Sequence, residues 1–156
     1  MSGAGRPEAA ALDGRGLRIA IVAGRWHEAI ADGLLAGARR VLDASGADVE
    51  VVHVPGAFEL PVVTNAVLTA GADAAVALGV IVRGGTPHFE FVSNAATDGL
   101  TRVAIDHGKP VGFGVLTLDD EQQGLDRAGL PGSREDKGAE AASAALETAI
   151  LLQRLR

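Results

Sequence analysis

Ala74-Ala75-Val76-Ala77-Leu78-Gly79-Val80-Ile81-Val82 runs without a polar side chain and is followed at once by Arg83-Gly84-Gly85-Thr86-Pro87-His88. An apolar run of strand length, closed by glycine and proline, is the pattern of a strand covered on both faces. It is the longest apolar run of the chain, so it is expected at the centre of a parallel sheet, and it is too short to span a bilayer. Leu17 to Ala23 repeats the pattern as a first, central strand, while Val49 to Val54 reads as a second strand and Pro110 to Leu118 as a fourth.

Between the strands the period becomes helical. From Glu28 to Gly46 the residues Ile30, Leu34, Ala38, Val41 and Leu42 form one stripe, with Glu28, Asp32, Arg39 and Asp43 opposite. Phe58 to Gly71 reads as a helix with Pro61 near its start, and Pro87 to His107 as another with Val92, Ala95, Ala96, Leu100 and Val103 inward. A short acidic helix over Asp119 to Arg127, a loop from Gly129 to Asp136 and a helix from Lys137 to Leu155 complete the chain. Strands alternating with helices require right-handed crossovers. The expectation is a three-layer α/β fold of flavodoxin type, a four-stranded parallel sheet with helices on both faces. Residues 1–15, rich in Ala and Gly and without period, read as a tail, and residues 16–156 as one domain. The helix faces are small, so oligomerisation is the expected source of further buried area.

Composition narrows the function. Aromatic residues are 3% and the net charge is -6, which leaves neither a stacking platform nor a basic surface for nucleic acid. With no cysteine there are no disulfides, thiolate metal sites or cysteine nucleophile, and the spacing of His27, His53 and His107 suits no metal. The first ten residues lack the apolar core of a signal peptide, which makes the cytoplasm the expected compartment.

Ligands of open parallel sheets bind beyond the carboxyl ends of the strands. Four segments are expected to converge there: Gly24 to His27, Pro55 to Glu59, Arg83 to His88, and Phe113 onward. Gly84-Gly85 lets the main chain curl closely, and Thr86-Pro87 suit the cap and first residue of a helix, whose amides and dipole then face an anion. An ordinary strand-to-helix turn explains the same segment equally well. His88, in the first turn of that helix, fits either proton transfer beside a phosphate or a capping role. Trp26 fits a flat wall for a heteroaromatic ligand or plain packing. Glu59 fits an acceptor for ligand hydroxyls or a first-turn acid favourable to the dipole. Arg127 and Lys137 flank a loop with the reach of another subunit, and basic residues near helix ends also occur without any such role.

In combination the chain resembles the 6,7-dimethyl-8-ribityllumazine synthase family. Pro55-Gly56-Ala57-Phe58-Glu59-Leu60-Pro61, Leu78 to Phe89, Gly112-Phe113-Gly114-Val115-Leu116-Thr117 and Asp126-Arg127-Ala128-Gly129 carry the resemblance, in the family's order and over nearly the whole chain. It implies condensation of 5-amino-6-(D-ribitylamino)uracil with 3,4-dihydroxy-2-butanone 4-phosphate in riboflavin biosynthesis, without cofactor or metal. By the same resemblance, Trp26 stacks on the pyrimidine. Ala57, Phe58 and Glu59 hold the ribityl-bearing substrate, and Val80, Ile81 and Val82 line the uracil edge. Gly85, Thr86 and Arg127 bind the phosphate, and His88 transfers protons. Phe113, Arg127 and Lys137 come from the adjacent subunit of a homopentamer. The segment Leu130 to Asp136, with a proline and two acids, resembles the pentameric members more than those that build icosahedral shells, and riboflavin synthase is the partner the pathway points to. A non-catalytic lumazine or flavin binder, or a shell protein, on the same fold is the alternative. The presence of both His88 and Arg127 favours catalysis.

Overall fold

The computed structural model describes residues 4–8 and 11–156. Strands β1 (Arg18–Gly24), β2 (Asp48–Val54), β3 (Ala74–Val82) and β4 (Val111–Leu118) are parallel and lie in the order β2-β1-β3-β4. Ile21 in β1 stands between Val51 on one side and Val76 on the other. The two apolar runs thus occupy the two inner positions, where each strand has a neighbour on both edges and a helix layer over both faces. Every residue from Ile19 to Gly24 in β1 and from Ala74 to Ile81 in β3 is buried.

Helices α1 (Glu28–Ser45) and α5 (Lys137–Leu155) pack on each other over one face of the sheet, with the short α4 (Glu121–Leu125) beside them. Helices α2 (Leu60–Thr69) and α3 (His88–His107) cover the other face. This is the three-layer flavodoxin-type arrangement that the alternation of periods predicts. Ile19, Ile21, Leu34, Leu42, Val76, Leu78 and Leu146 fill the core under α1 and α5. Val22, Leu60, Ala77, Leu100 and Val115 fill the one under α2 and α3. Each fully buried Leu or Ile contributes about 1.5–3 kcal/mol. On the first face the backbones come very close, and a Cβ on Gly138 of α5 would collide with the carbonyl of Leu34 in α1.

The second helix begins later than its sequence suggests. Ala57–Glu59 form a separate 3-10 turn, and only from Leu60 does α2 continue as a regular helix, with Pro61 at its start. There its missing N–H belongs to a group of donors with no partner in the helix anyway. At the other end Lys109 donates through Nζ to the carbonyls of Leu68 (3.1 Å) and Ala72 (2.8 Å), pinning the turn that leads from α2 into β3. Upstream of β1, the Gly14 amide donates to the Ser45 carbonyl at 2.8 Å, and Leu12 packs against the first core. Residues 12–14 are thereby laid along the end of α1.

Candidate active site

A cleft of about 580 Å³ opens at the carboxyl ends of β1 and β3. Its position follows from the topology, since the crossovers leave β1 and β3 on opposite faces and a crevice remains between them. The β1 ladder pairs with β3 only as far as Ala23 opposite Leu78, whereas β3 continues beside β4 to Val82 opposite Leu118. On the β1 side, the main chain of Val80, Ile81 and Val82 therefore has no strand beside it. Main-chain amides and carbonyls demand partners. A planar ligand with its own donors and acceptors, lying along this edge, would supply them.

Trp26 and Glu59 stand on the walls. Trp26 is 66% exposed, which rules out core packing within the chain as its role. Its indole lies against Gly56, so close that a Cβ there would stand 3.1 Å from Nε1. Glycine at position 56 thus leaves room for the edge of the indole carrying Cδ1 and Nε1 to approach the turn. The Gly56 amide donates to Glu59 Oε2 at 3.0 Å, which fixes the carboxyl group at the cleft wall. This is the local role anticipated for a first-turn acid. It occupies one carboxylate oxygen, and the other has no protein partner among the described residues.

His88 is the first regular residue of α3, and its amide donates to Thr86 Oγ1 at 3.4 Å. The cap of this helix is Pro87 (φ -65, ψ -2), one residue later than the sequence suggests, and it has no side-chain cap bond; Thr86 lies outside the helix in the turn before it. The start of this 20-residue helix is exposed beside the cleft and brings the positive end of its dipole there. At Gly84 and Gly85 a Cβ would meet nothing within 4 Å, and neither has positive φ. Among the described residues nothing requires glycine at either position.

Of the residues singled out from the sequence, Trp26, Ala57, Phe58, Glu59, Val80, Ile81, Val82 and His88 line this one cleft, and Gly85 and Thr86 form the exposed turn that leads into His88. Phe113, Arg127 and Lys137 do not line it. Phe113 lies in the first half of β4 opposite Ala77, not at the carboxyl end, and its ring is half exposed. Arg127 follows α4 and donates from Nη1 to the Gln123 carbonyl at 2.9 Å, with Nε 3.7 Å from Glu135 Oε2. Lys137 opens α5, its Nζ 2.9 Å from Glu140 Oε2.

Phe91 and Val92 also line the cleft, although the sequence reading placed Val92 only on the inward stripe of α3 and did not single out Phe91, and His27 enters it as the end of the segment Gly24 to His27. Phe91 is one helical turn beyond His88 and therefore on the same face, a spacing that would have revealed it. His27 alone among the described non-glycine residues has positive φ (φ 58, ψ 69) and has no side-chain cap bond, while its Nδ1 lies 3.7 Å from Glu121 Oε1. A left-handed histidine costs on the order of 1 kcal/mol, a strain typical of functional turns. No pattern in the sequence marks it. Among the described residues no group of His, Asp or Glu is placed to hold a metal, and no helix is long and apolar enough to cross a membrane.

Residues 16–153 match the family described as 6,7-dimethyl-8-ribityllumazine synthase. The chain is 73% identical to a protein of that name from Leifsonia xyli subsp. xyli, covering 100% of this chain and 99% of the relative. Identity is 69% to one from Clavibacter michiganensis subsp. michiganensis, with 100% and 99% covered. It is 64% to one from Kineococcus radiotolerans, with 98% and 95% covered.

Proposed function

Because the chain belongs to the 6,7-dimethyl-8-ribityllumazine synthase family, we propose that the cleft between β1 and β3 is where it binds 5-amino-6-(D-ribitylamino)uracil. The chain is a transferase of riboflavin biosynthesis that joins this pyrimidine to 3,4-dihydroxy-2-butanone 4-phosphate, forming the lumazine and releasing phosphate and water. The observation that carries the site is the unpaired edge of β3. A uracil ring has amide-like donors and acceptors along its rim, and the main chain of Val80 to Val82 offers their complements. Trp26 supplies a flat surface for stacking. The turn Ala57 to Glu59, with one carboxylate oxygen unengaged, suits the hydroxyls of the ribityl chain.

The butanone phosphate is assigned to the turn at Gly85 and Thr86. The two glycines, which the chain's own packing does not explain, leave room for a phosphate to approach the main chain, and the start of α3 favours its charge. Arg127, Lys137 and Phe113 belong to the neighbouring subunit's site in this reading. Their distance from the cleft of their own chain supports that division, as do the exposed apolar residues Phe58, Val62, Phe91 and Ile105. The assembly is a pentamer rather than an icosahedral shell, on the strength of the proline and two acids in Leu130 to Asp136. Sedimentation reads this directly, and a megadalton particle would overturn it. Cytoplasmic residence and transfer of product to riboflavin synthase belong to the same proposal and rest on the pathway.

The primary amine of the pyrimidine attacks the ketone and one water leaves as the imine forms; phosphate is then eliminated, the resulting enol tautomerises to a carbonyl, and the second nitrogen attacks that carbonyl and expels a second water as the ring closes. No covalent bond to the protein is required. The site therefore acts mainly by holding two substrates together, with His88 relaying protons at the cleft mouth. Mixing the protein with both substrates and following the lumazine absorbance tests this, with the slow uncatalysed condensation as blank. Acceleration is expected, and none from a properly assembled protein would refute the reading.

A further inference from the structure

Arg127 and Lys137 are joined by one acidic side chain that has no counterpart in the cleft. Glu135 places Oε2 3.7 Å from Arg127 Nε and 3.6 Å from Lys137 Nζ, so one oxygen faces both cations. The loop that carries it is tightly clipped. The amides of Arg134 and Glu135 both donate to the Asp126 carbonyl, at 2.8 and 3.0 Å, the Lys137 amide donates to the Arg127 carbonyl at 2.9 Å, and Ala128 and Asp136 form an antiparallel bridge. Asp136 also caps α5 through the Ala139 amide and pairs with Arg40. Glu135 and Arg127 therefore sit on adjoining segments whose separation cannot drift. The Arg127 guanidinium is tied at Nη1 by Gln123 and along its Nε edge by Glu135, and Lys137 is held from its other side by Glu140.

We propose that Glu135 is a positioning residue for the reaction, holding Arg127 and Lys137 in one fixed arrangement so that the phosphate of the second substrate meets a cation already oriented. This rests on the reading of Arg127 as a phosphate ligand. An arginine on a flexible stem loses side-chain entropy when it binds, and a carboxylate that restrains it beforehand removes part of that cost. The charge of Glu135 acts the other way, since an anion beside a phosphate site weakens it. Positioning and charge thus predict opposite signs when the carboxylate is neutralised.

The test is steady-state kinetics of the assembled protein with both substrates varied, for Glu135→Gln, Glu135→Asp, Arg127→Ala and the Arg127→Ala/Glu135→Gln pair. Glu135→Gln is expected to raise KM for the butanone phosphate about three- to tenfold, with KM for the pyrimidine and sedimentation unchanged. Glu135→Asp should fall between it and the parent, and Glu135→Gln should add nothing in the Arg127→Ala background. A KM for the butanone phosphate that is unchanged or lower in Glu135→Gln overturns the inference, as does an equal rise with or without Arg127. Should Glu135→Gln fail to assemble, Glu135→Asp decides, because its shorter side chain cannot bridge both cations and a parental KM would refute the role. If Arg127→Ala itself leaves that KM unchanged, the phosphate assignment falls and this inference with it.

Discussion

Under α1 and α5 the sheet is sealed by wholly buried Leu34, Leu42 and Leu146, with Gly138 drawing the two helices into backbone contact, while over α2 and α3 the chain leaves Phe58, Val62, Phe91, Ile105 and Phe113 in solvent. The cleft belongs to the second, open side, together with the unpaired end of β3. The sealed face obtains its stability from contacts within the chain. The open face keeps apolar surface and main-chain hydrogen-bonding groups unspent, and these are what a ligand and a neighbouring subunit require. A change in the sealed layer should act on folding, and one at the cleft on catalysis with folding spared.

Gly138→Ala should break this division most severely. Its Cβ meets the Leu34 carbonyl, which is backbone and cannot rotate away, so a loss of about 3 kcal/mol is expected in the denaturant midpoint. A parental midpoint would show that the α1–α5 contact is looser than described. At the cleft, His88→Ala should lower kcat about tenfold to a thousandfold with an unchanged midpoint. Total loss in a correctly assembled protein would mean that proton transfer outweighs the juxtaposition of substrates.

Arg127→Ala should raise KM for the butanone phosphate by about ten- to a hundredfold, and that for the pyrimidine much less, because a charge-assisted contact to phosphate is removed. Equal defects for the two substrates would place Arg127 elsewhere in the mechanism. The smallest effect is expected at Gly84→Ala, where the added methyl meets open space in the chain. Its midpoint should match the parent, while KM for the butanone phosphate rises about twofold to fivefold if the phosphate lies against this turn. Gly84→Ala and Gly138→Ala thus make the same chemical change with opposite consequences, and together they sharpen the contrast between the faces.

Much of this was legible in the chain because strands and helices announce themselves by period. Ala74 to Val82 and Lys137 to Leu155 coincide with β3 and α5 residue for residue, since an apolar run between glycines and an apolar stripe behind an aspartate cap are local patterns. Pro87 marked the start of α3 to within one residue, as its cap rather than its first helical residue. The break between the 3-10 turn at Ala57–Glu59 and α2 was not legible, because it depends on the Glu59 carboxylate reaching back to the Gly56 amide. Nor was the left-handed His27, since even histidine, although enriched at positive φ, mostly adopts negative φ, and no neighbouring residue marks the exception.

By itself, then, the order of periods determined a parallel α/β sheet with β1 and β3 inside, and its motifs pointed to the family and to most of the residues around the cleft. Which of those residues share one cleft was decided by the tertiary structure. The β1 ladder stops at Leu78 while β3 runs on to Val82, and Phe113, Arg127 and Lys137 are carried away from the cleft on β4, on the segment that follows α4 and on the first residue of α5. Period is a property of neighbours in sequence. Where a ladder ends, which main-chain groups remain unpaired and which carboxylate reaches which cation depend on segments far apart in the chain, and those relations exist only after the layers have packed.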